Sequence, residues 1–339
     1  MLRALAEPFV ARKRDDGDES VWDFAARRLG PEVADRLIHP MVLGIFAGDA
    51  KRLSLSSAFP IMEELERDHG SLVRAQIARG RARRRGELPP LRNTLSSFRA
   101  GLQTLPRVLS ERGGFETRTS SVVKTLVRRE GGGFRVVLED GDTVPADVVV
   151  VASEGFRAAR ILASIAPDAA RMLEEISYPP VYVVALGYGG EARRHVPEGF
   201  GVLVPRGAGF RSLGVTWDGY LFPDRNPRGS LLVRVLLGGA FDPEVAALGE
   251  EQVLSLVREE MRRLLGLSTG PMFVRTKLWR NAIPQYELGH GARVARAERD
   301  VARIPGLFLA GNALHGTAFG KAAARGVACG HEAIAWLAE

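Results

Sequence analysis

The 339-residue sequence contains a single cysteine, Cys329, and no long hydrophobic run. One thiol cannot form an intramolecular disulfide or a zinc site built from several thiolates. No stretch approaches the roughly 18 apolar residues that a membrane-spanning helix needs. Alanine and valine surround Cys329, so we predict that it is a small buried hydrophobic residue rather than a reactive thiol. We therefore expect a protein that is soluble or peripherally attached to a membrane.

The sequence also lacks the short motifs that mark common catalytic and phosphate-binding sites. Its six histidines have no metal-ligand spacing, and no GxSxG motif is present. The glycine runs Gly131–Gly133 and Gly187–Gly190 do not have GxGxxG spacing, and the first is typical of a hairpin turn. A dinucleotide needs a βαβ unit whose backbone approaches its pyrophosphate, and the sequence supplies no such unit. We assign no catalytic residue.

Positive charge is in excess, with 47 Lys and Arg against 40 Asp and Glu and a net charge of +7. The run Arg79–Arg85 concentrates this charge. It is either a solvated connection between helices or a segment that anionic lipid attracts by on the order of 1 kcal/mol per basic residue. No aromatic residue interleaves the arginines and no recognition motif follows, so we do not expect nucleic acid as a partner.

The periodicity along the chain predicts a mixed α/β protein. Ser20 is expected to cap a helix over Val21–Leu29. The apolar run Val148–Val151 predicts a strand buried on both faces, as in a parallel sheet, and Leu307–Ala310 predicts a short buried strand. We infer one nucleotide-binding sheet assembled from these distant segments. The predicted divisions are a lead-in segment (1–20), a mostly helical insert (21–110), a β-meander with a buried strand (111–165), a β-rich domain (166–290) and a closing strand, turn and helix (291–339).

The closing strand is followed by the glycine-rich turn Gly311–Gly320 and an alanine-rich helix. A strand that ends in glycines before a helix places backbone N–H groups and the positive helix end at the carboxyl edge of the sheet. Such a turn can bind a phosphate or the N1–C2=O edge of a flavin. It can equally be a tight structural connection packed with small residues, and the local sequence leaves both interpretations open.

Several motifs, in order along the chain, resemble the oxygen-dependent protoporphyrinogen oxidases within the amine-oxidase-like flavoproteins. They are Gly44–Asp49 (GIFAGD), Leu65–Leu72 (LERDHGSL), Phe222–Gly229 (FPDRNPRG), Ile283–His290 (IPQYELGH) and Gly311–Gly316 (GNALHG). The pattern IPQYxxGH is highly specific for this family. Asp218-Gly219, Ala50 and Thr317–Gly320 depart from the usual family residues, which bears on substrate preference rather than on membership.

The resemblance implies an FAD-dependent oxidase that converts protoporphyrinogen IX to protoporphyrin IX with O2, with coproporphyrinogen III as an alternative substrate. It also implies an incomplete Rossmann-like FAD domain, a β-rich substrate domain and a helical membrane-associating insert. By the same resemblance, the residues that would contact FAD are Val123 on the adenine side, Trp279 beside the flavin, and Gly311, Asn312, Gly316, Thr317, Ala318 and Phe319 at the turn. We expect a cytoplasmic protein bound peripherally to an anionic surface, the inner face of the cell membrane, and a homodimer remains open.

Members of this family begin with a strand, GxGxxG and a helix, whereas this sequence begins beyond that point. We therefore expect a truncated form, a fragment or half of a split gene, with weak retention of FAD. The rival interpretation is a non-catalytic remnant that binds a porphyrin or a partner chain without FAD.

Overall fold

The computed structural model describes residues 2–15, 17–89 and 96–338. It confirms the mixed α/β class, with helices first, sheets in the middle and a strand, turn and helix at the end. The helices are α1 (Leu2–Leu5), α2 (Val21–Leu29), α3 (Pro31–Val33), α4 (His39–Phe46), α5 (Leu55–Ala58), α6 (Pro60–His69), α7 (Leu72–Arg84), α8 (Thr104–Arg112), α9 (Gly155–Leu162), α10 (Pro167–Glu174), α11 (Asp218–Leu221), α12 (Glu250–Leu265), α13 (His290–Val301) and α14 (Phe319–Ala338). The strands are β1 (Val123–Arg128), β2 (Phe134–Leu138), β3 (Thr143–Ala146), β4 (Val149–Val151), β5 (Val181–Tyr188), β6 (Gly201–Leu203), β7 (Ser212–Thr216), β8 (Leu231–Gly238), β9 (Phe273–Trp279) and β10 (Leu307–Leu309).

The helical part of the chain, helices α2 to α8, begins where the sequence predicted. Ser20 is the N-cap of α2, and its hydroxyl accepts a hydrogen bond from the backbone N–H of Asp23 at 3.0 Å. Gly30 ends the helix with φ at 97°, a conformation that costs glycine little. The buried residues that hold the helices of this part together are Val21, Phe24, Val42, Phe46, Ala50, Leu53, Leu55 and Tyr286.

The first twenty residues are more than the polar lead-in that the sequence suggested. Glu7 is fully buried and forms an ion pair with Arg28, which is also fully buried. The Glu7 carboxylate further accepts a hydrogen bond from Ser71 Oγ and one from the backbone N–H of Leu72 at 2.8 Å. The short polar sequence gave no sign of this anchor, because the partners of Glu7 lie 21 or more residues away.

Of the three sheets formed by the described residues, two lie in the part that was predicted to bind FAD. Strands β1, β2 and β3 form an antiparallel meander, and a turn at Gly131–Gly133 joins the first two as expected. Strands β4 and β10 pair in parallel, with Leu307 opposite Val149 and Leu309 opposite Val151. The inferred assembly of one sheet from distant segments is therefore confirmed for these two strands.

Helices α9, α10 and α13 pack around β4 and β10 in what we call the parallel-strand core. Its buried residues include Val151, Leu162, Leu173, Leu307 and Leu309. Packing groups α10 with this core, whereas the sequence placed it in the β-rich domain 166–290. The connection between α9 and α10 is short, so α10 packs against α9 and α13. These two helices cover the apolar face of α10.

The third sheet has five antiparallel strands in the order β6-β7-β8-β5-β9. Buried and more exposed residues alternate along β8, which is the pattern of a sheet with one face in the core. Helix α12 lies in that core through Val253, Val257 and Met261, all of them fully buried.

Candidate active site

The two parallel strands end at a common edge, and a cavity of about 600 Å³ opens there. Parallel strands bring their carboxyl ends together, which is where open α/β sheets bind ligands. The cavity is lined by the residues that follow β4 (Ala152, Ser153 and Glu154), those that follow β10 (Ala310, Gly311 and Asn312), and Thr317, Phe319, Ala322 and Gly326 before and within α14.

Gly311 is required where the second strand turns away from the sheet. Its φ is 116°, and a Cβ at this position would lie 3.2 Å from the carbonyl oxygen of Ser153. The turns after the two strands therefore touch through their backbones. The hydroxyl of Ser153 is buried at this point and has no hydrogen-bond partner among the described residues, so it is available to a ligand.

Tyr286 fixes the turn that follows β10. Its hydroxyl accepts a hydrogen bond from the backbone N–H of Gly316 at 2.8 Å and donates one to the carbonyl oxygen of Asn312. The ring is buried in the helical part, and burial raises the pKa of this hydroxyl to about 12. The phenol therefore stays protonated and can serve both backbone groups at once.

His290 contacts the same turn between those two points. Its Nε2 lies 3.1 Å from the carbonyl oxygen of Leu314, which can only accept, so Nε2 carries the proton. Burial lowers the pKa of the imidazole to about 4. The ring is consequently neutral at physiological pH, and its Nδ1 is buried without a partner in the described part of the chain.

A second tyrosine holds the turn that follows β4. The hydroxyl of Tyr178 accepts a hydrogen bond from the backbone N–H of Gly155 at 2.8 Å. A Cβ on Gly155 would lie 3.0 Å from that hydroxyl, so glycine allows the close approach. Burial raises the pKa of Tyr178 to about 12. Each of the two strand ends is thus fixed by one buried tyrosine.

Four of the residues predicted to contact FAD come together at this cavity, namely Gly311, Asn312, Thr317 and Phe319. Helix α14 begins at Phe319 rather than near Thr317. The carbonyl of Ala318 is its first hydrogen-bond acceptor and receives the backbone N–H groups of residues 321 and 322. The N–H of Gly316 is already bonded to Tyr286. The amides left to face a ligand are those from Thr317 onward, since the first turn of a helix leaves its N–H groups without intrahelical acceptors.

Gly316 and Ala318 belong to the same turn but do not line the cavity. Val123 and Trp279 lie outside the turn, on two different sheets. Val123 is half-buried at the start of β1, opposite Leu138. Trp279 ends β9 with its ring half exposed, and the ammonium group of Lys277 lies 5.1 Å from the ring centroid. Neither residue lines the cavity, and both contacts with FAD stay predictions.

The sequence patterns indicated no role for Tyr178, Ser153, Tyr286 or His290, although the motif Ile283–His290 contains the last two. The available signal was the motif itself. In that motif the tyrosine stands four residues before the histidine that begins α13.

The residues at the strand ends suit the flavin of an FAD molecule. The backbone approach at Gly311, the unpaired Ser153 hydroxyl and the free amides before α14 offer contacts to a planar polar edge. The amides and the helix end also favour negative charge. Within the described residues no glycine loop of GxGxxG spacing is present for a diphosphate.

Comparison with known proteins agrees with this geometry. The family model described as flavin containing amine oxidoreductase matches residues 1–329. Chloroplastic protoporphyrinogen oxidase of Nicotiana tabacum is 34% identical over 325 residues, which cover 90% of this chain and 59% of the relative. Coproporphyrinogen III oxidase of Bacillus subtilis (strain 168) is 26% identical over 340 residues, which cover 99% of this chain and 71% of the relative.

Among solved structures, an Exiguobacterium sp. 255-15 protein proposed to be a protoporphyrinogen oxidase superposes with a TM-score of 0.78 at 22% identity. The match covers 96% of this chain and 68% of that one, and it shows a shared fold. The chain spans less than two thirds of the length of the first curated relatives that it matches. The resemblance seen in the sequence is confirmed, and the chain belongs to the flavin containing amine oxidoreductase family.

Proposed function

We propose that this chain is part of an FAD-dependent oxidase that converts protoporphyrinogen IX to protoporphyrin IX with O2. The observation that carries the proposal is the cavity at the paired ends of β4 and β10, with both turns held by buried tyrosines. The family and the protoporphyrinogen oxidases among the relatives support it. When bound, FAD supplies the redox chemistry, taking electrons from the porphyrinogen and passing them to O2.

The residues of the chain would bind and orient rather than transfer protons. Gly311 would give the flavin access to the backbone, and Thr317 and Phe319 would present amides just before and at the start of α14. Tyr286, with its pKa of about 12, and His290, with its pKa of about 4, do not change protonation near neutral pH. Their role at this site is to hold backbone groups in place.

Coproporphyrinogen III is the second candidate substrate. The coproporphyrinogen III oxidase of Bacillus subtilis (strain 168) aligns with 99% of this chain, more than the tobacco protoporphyrinogen oxidase does. The two porphyrinogens differ in their number of carboxylates. A comparison of rates with both substrates therefore separates the two candidates.

The test begins with a titration of the purified 339-residue chain with FAD, in which flavin fluorescence measures binding. The chain is then mixed with each porphyrinogen under air, and porphyrin fluorescence is recorded over a no-enzyme control. FAD-dependent porphyrin formation supports the proposal, and the faster substrate identifies the activity. Porphyrin binding with no measurable FAD binding would instead support the non-catalytic remnant.

We also propose that the protein is cytoplasmic and attaches peripherally to the inner face of the cell membrane. Helix α7 carries the exposed apolar residues Val73 and Ile77 together with the exposed Arg74, Arg81 and Arg84. Apolar and basic residues on one exposed helix favour an anionic lipid surface. No helix of the described residues is long and apolar enough to cross a bilayer. Light scattering on the same samples would test the homodimer that the resemblance leaves open.

A further inference from the structure

The segment 285–290 joins the helical part of the chain to the turn that follows β10. On one side it is bonded to the helical part. The backbone N–H of Ser54 donates to the carbonyl oxygen of Tyr286 at 2.8 Å, and the backbone N–H of Gly289 donates to Asp18 Oδ2 at 2.7 Å. The segment is therefore fixed before its side chains reach across to the turn.

On the other side, two side chains of this segment bond to three alternate backbone positions of the turn. The hydroxyl of Tyr286 bonds to the N–H of Gly316 and to the carbonyl of Asn312. Nε2 of His290 bonds to the carbonyl of Leu314. Contacts at three alternate residues prevent the turn from rotating about its ends.

The two side chains also support each other. Their rings stack with centroids 4.1 Å apart and planes inclined by 17°. Both residues are only 1% exposed, so water does not compete for their hydrogen bonds. The hydroxyl of Tyr286 and the imidazole of His290 thus act on the turn as one unit, which we call the Tyr286–His290 clamp.

We infer that Tyr286 and His290 are positioning residues that fix the turn 311–316 and thereby direct the amides of Thr317–Phe319 at the flavin. The inference rests on the proposed function, because it assumes that a flavin lies at this cavity. Tyr286 and His290 do not line the cavity. They would act on the flavin through the backbone that they hold.

The clamp matters more for the reduced flavin than for the oxidised one. Reduced flavin carries negative charge at its N1–C2=O edge, and the stabilisation that a helix N-terminus gives to an anion falls off within the first turn. A turn released from the clamp moves the amides relative to that charge. The dissociation constant of reduced FAD should then rise more than that of oxidised FAD.

Three substitutions separate the contacts of the clamp. Tyr286→Phe removes the hydroxyl and keeps the stacked ring. His290→Phe removes the donor to Leu314, and His290→Gln is the conservative variant because its amide can still donate to that carbonyl. Tyr188→Phe is the matched control, since Tyr188 is equally buried but lies in the five-stranded sheet.

Two measurements on the full chain test the inference. Hydrogen exchange of the Gly316 amide reports release of the turn without requiring a flavin. Titrations with oxidised and with reduced FAD give two dissociation constants, and their ratio reports the flavin potential. For Tyr286→Phe and His290→Phe we expect faster exchange and a reduced-to-oxidised ratio that is raised about twofold to fivefold. His290→Gln should stay close to the unsubstituted chain.

The outcomes distinguish this inference from the proposed function. An unsubstituted chain that binds neither form of FAD would overturn the proposed function and this inference with it. Normal FAD binding with an unchanged ratio in Tyr286→Phe and His290→Phe would overturn the inference alone, since faster exchange would then be purely structural. An equal change of the ratio in Tyr188→Phe would also overturn it.

Discussion

The imidazole ring of His290 lies face to face with the phenol ring of Tyr286, with centroids 4.1 Å apart and planes inclined by 17°. The stack closes the imidazole off from water, and this burial is the main cause of its low pKa of about 4. The N–H at Nε2 donates a hydrogen bond to the carbonyl oxygen of Leu314. A second proton on Nδ1 would be buried without an acceptor among the described residues.

The low pKa of His290 predicts a loss of stability in mild acid. In the unfolded chain a histidine has a pKa of about 6.5, so the unfolded state binds more protons than the folded state between pH 6.5 and 4. The free energy of unfolding therefore falls as the pH is lowered through this range, by about 2 kcal/mol at pH 5 from this group. Urea unfolding at pH 7 and pH 5 measures the change.

The His290→Gln variant should lose less stability between these two pH values, by about the same 2 kcal/mol. His69→Gln serves as the control, because His69 is exposed at the end of α6. An identical pH dependence in the His290→Gln variant and the unsubstituted chain would contradict the prediction.

The buried ion pair between Glu7 and Arg28 predicts a large effect of a small substitution. Burial alone raises the pKa of Glu7, but hydrogen bonds from Ser71, Arg28 and two backbone amides outweigh it and lower the pKa to about 2. In the Glu7→Gln variant the buried charge of Arg28 keeps its ion pair with Glu66, whose Oε1 lies 3.1 Å from Arg28 Nη1, but loses that with Glu7. Removing one partner of a buried pair costs about 3–5 kcal/mol, and the remaining Glu66 contact places the expected loss at the lower end of this range, about 3 kcal/mol.

Chemical denaturation of the Glu7→Gln variant measures that cost. Glu111→Gln is the matched control, since Glu111 pairs with Arg107 at the surface, and exposed pairs contribute about 0–1 kcal/mol. A loss for Glu7→Gln as small as that for Glu111→Gln would show that the N-terminal residues are not anchored as described.

Gly311 should not tolerate a side chain. The substitution Gly311→Ala places a Cβ 3.2 Å from the carbonyl oxygen of Ser153 at a φ of 116°, so we expect a loss of about 1–3 kcal/mol and weaker FAD binding. Gly330→Ala is the control within α14, where the added Cβ meets open space, and it should stabilise by about 0.5–1 kcal/mol. Thermal unfolding and FAD titration of both variants are the measurements, and similar values for the two would argue against a constrained strand end.

The features that the sequence predicted depend on neighbouring residues. The Ser20 cap, the turn at Gly131–Gly133 and the positions of strands β4 and β10 follow from local propensity and from runs of apolar residues. The expected burial of β4 on both faces was wrong, because Val150 in the middle of that strand is 41% exposed. One sheet that contains both β4 and β10 could be inferred because each is a short, wholly apolar run.

The contacts that build the site join residues far apart in the chain. The hydrogen bond between Tyr286 and Gly316 spans 30 residues, and that between Tyr178 and Gly155 spans 23. No period or propensity encodes such a pair, since each tyrosine alone is typical of a hydrophobic core. The motif that contains Tyr286 marked the right segment but could not say which backbone groups its hydroxyl serves.

Membrane attachment through α7 predicts binding that depends on salt. Replacement of Arg81, Arg83 and Arg84 by Ser should weaken sedimentation with anionic vesicles, because about 1 kcal/mol per basic residue is lost near the surface. The affinity of the unsubstituted chain should fall as salt is added, since exposed charges are screened over about 8 Å at physiological ionic strength.

The control carries three serines in place of arginines on α12, at positions 258, 262 and 263, and has the same net charge. Equal weakening in this control would mean that overall charge, not α7, drives the binding. Equal binding to neutral vesicles would count against an electrostatic attachment altogether.

Ala318 gives the most direct test of where the flavin lies. Its side chain is exposed, and only its carbonyl is used, as the first acceptor of α14, so a larger side chain should leave the fold nearly intact. The Ala318→Glu variant adds bulk and a negative charge beside the amides that would face the N1–C2=O edge. Repulsion of the anionic reduced form by about 0.3–1 kcal/mol, and up to about 2 kcal/mol if partly buried, should lower the flavin potential and weaken FAD binding.

The Ala318→Gln variant separates the two causes, because it has nearly the same volume without the charge. Weaker FAD binding in both variants with a lower potential only in Ala318→Glu would indicate that the charge acts on the reduced flavin at short range. Thermal unfolding confirms that each variant keeps its fold. If both variants bind FAD with the affinity and potential of the unsubstituted chain, the turn before α14 is only a structural connection, because a flavin at this edge could not avoid a carboxylate placed beside it.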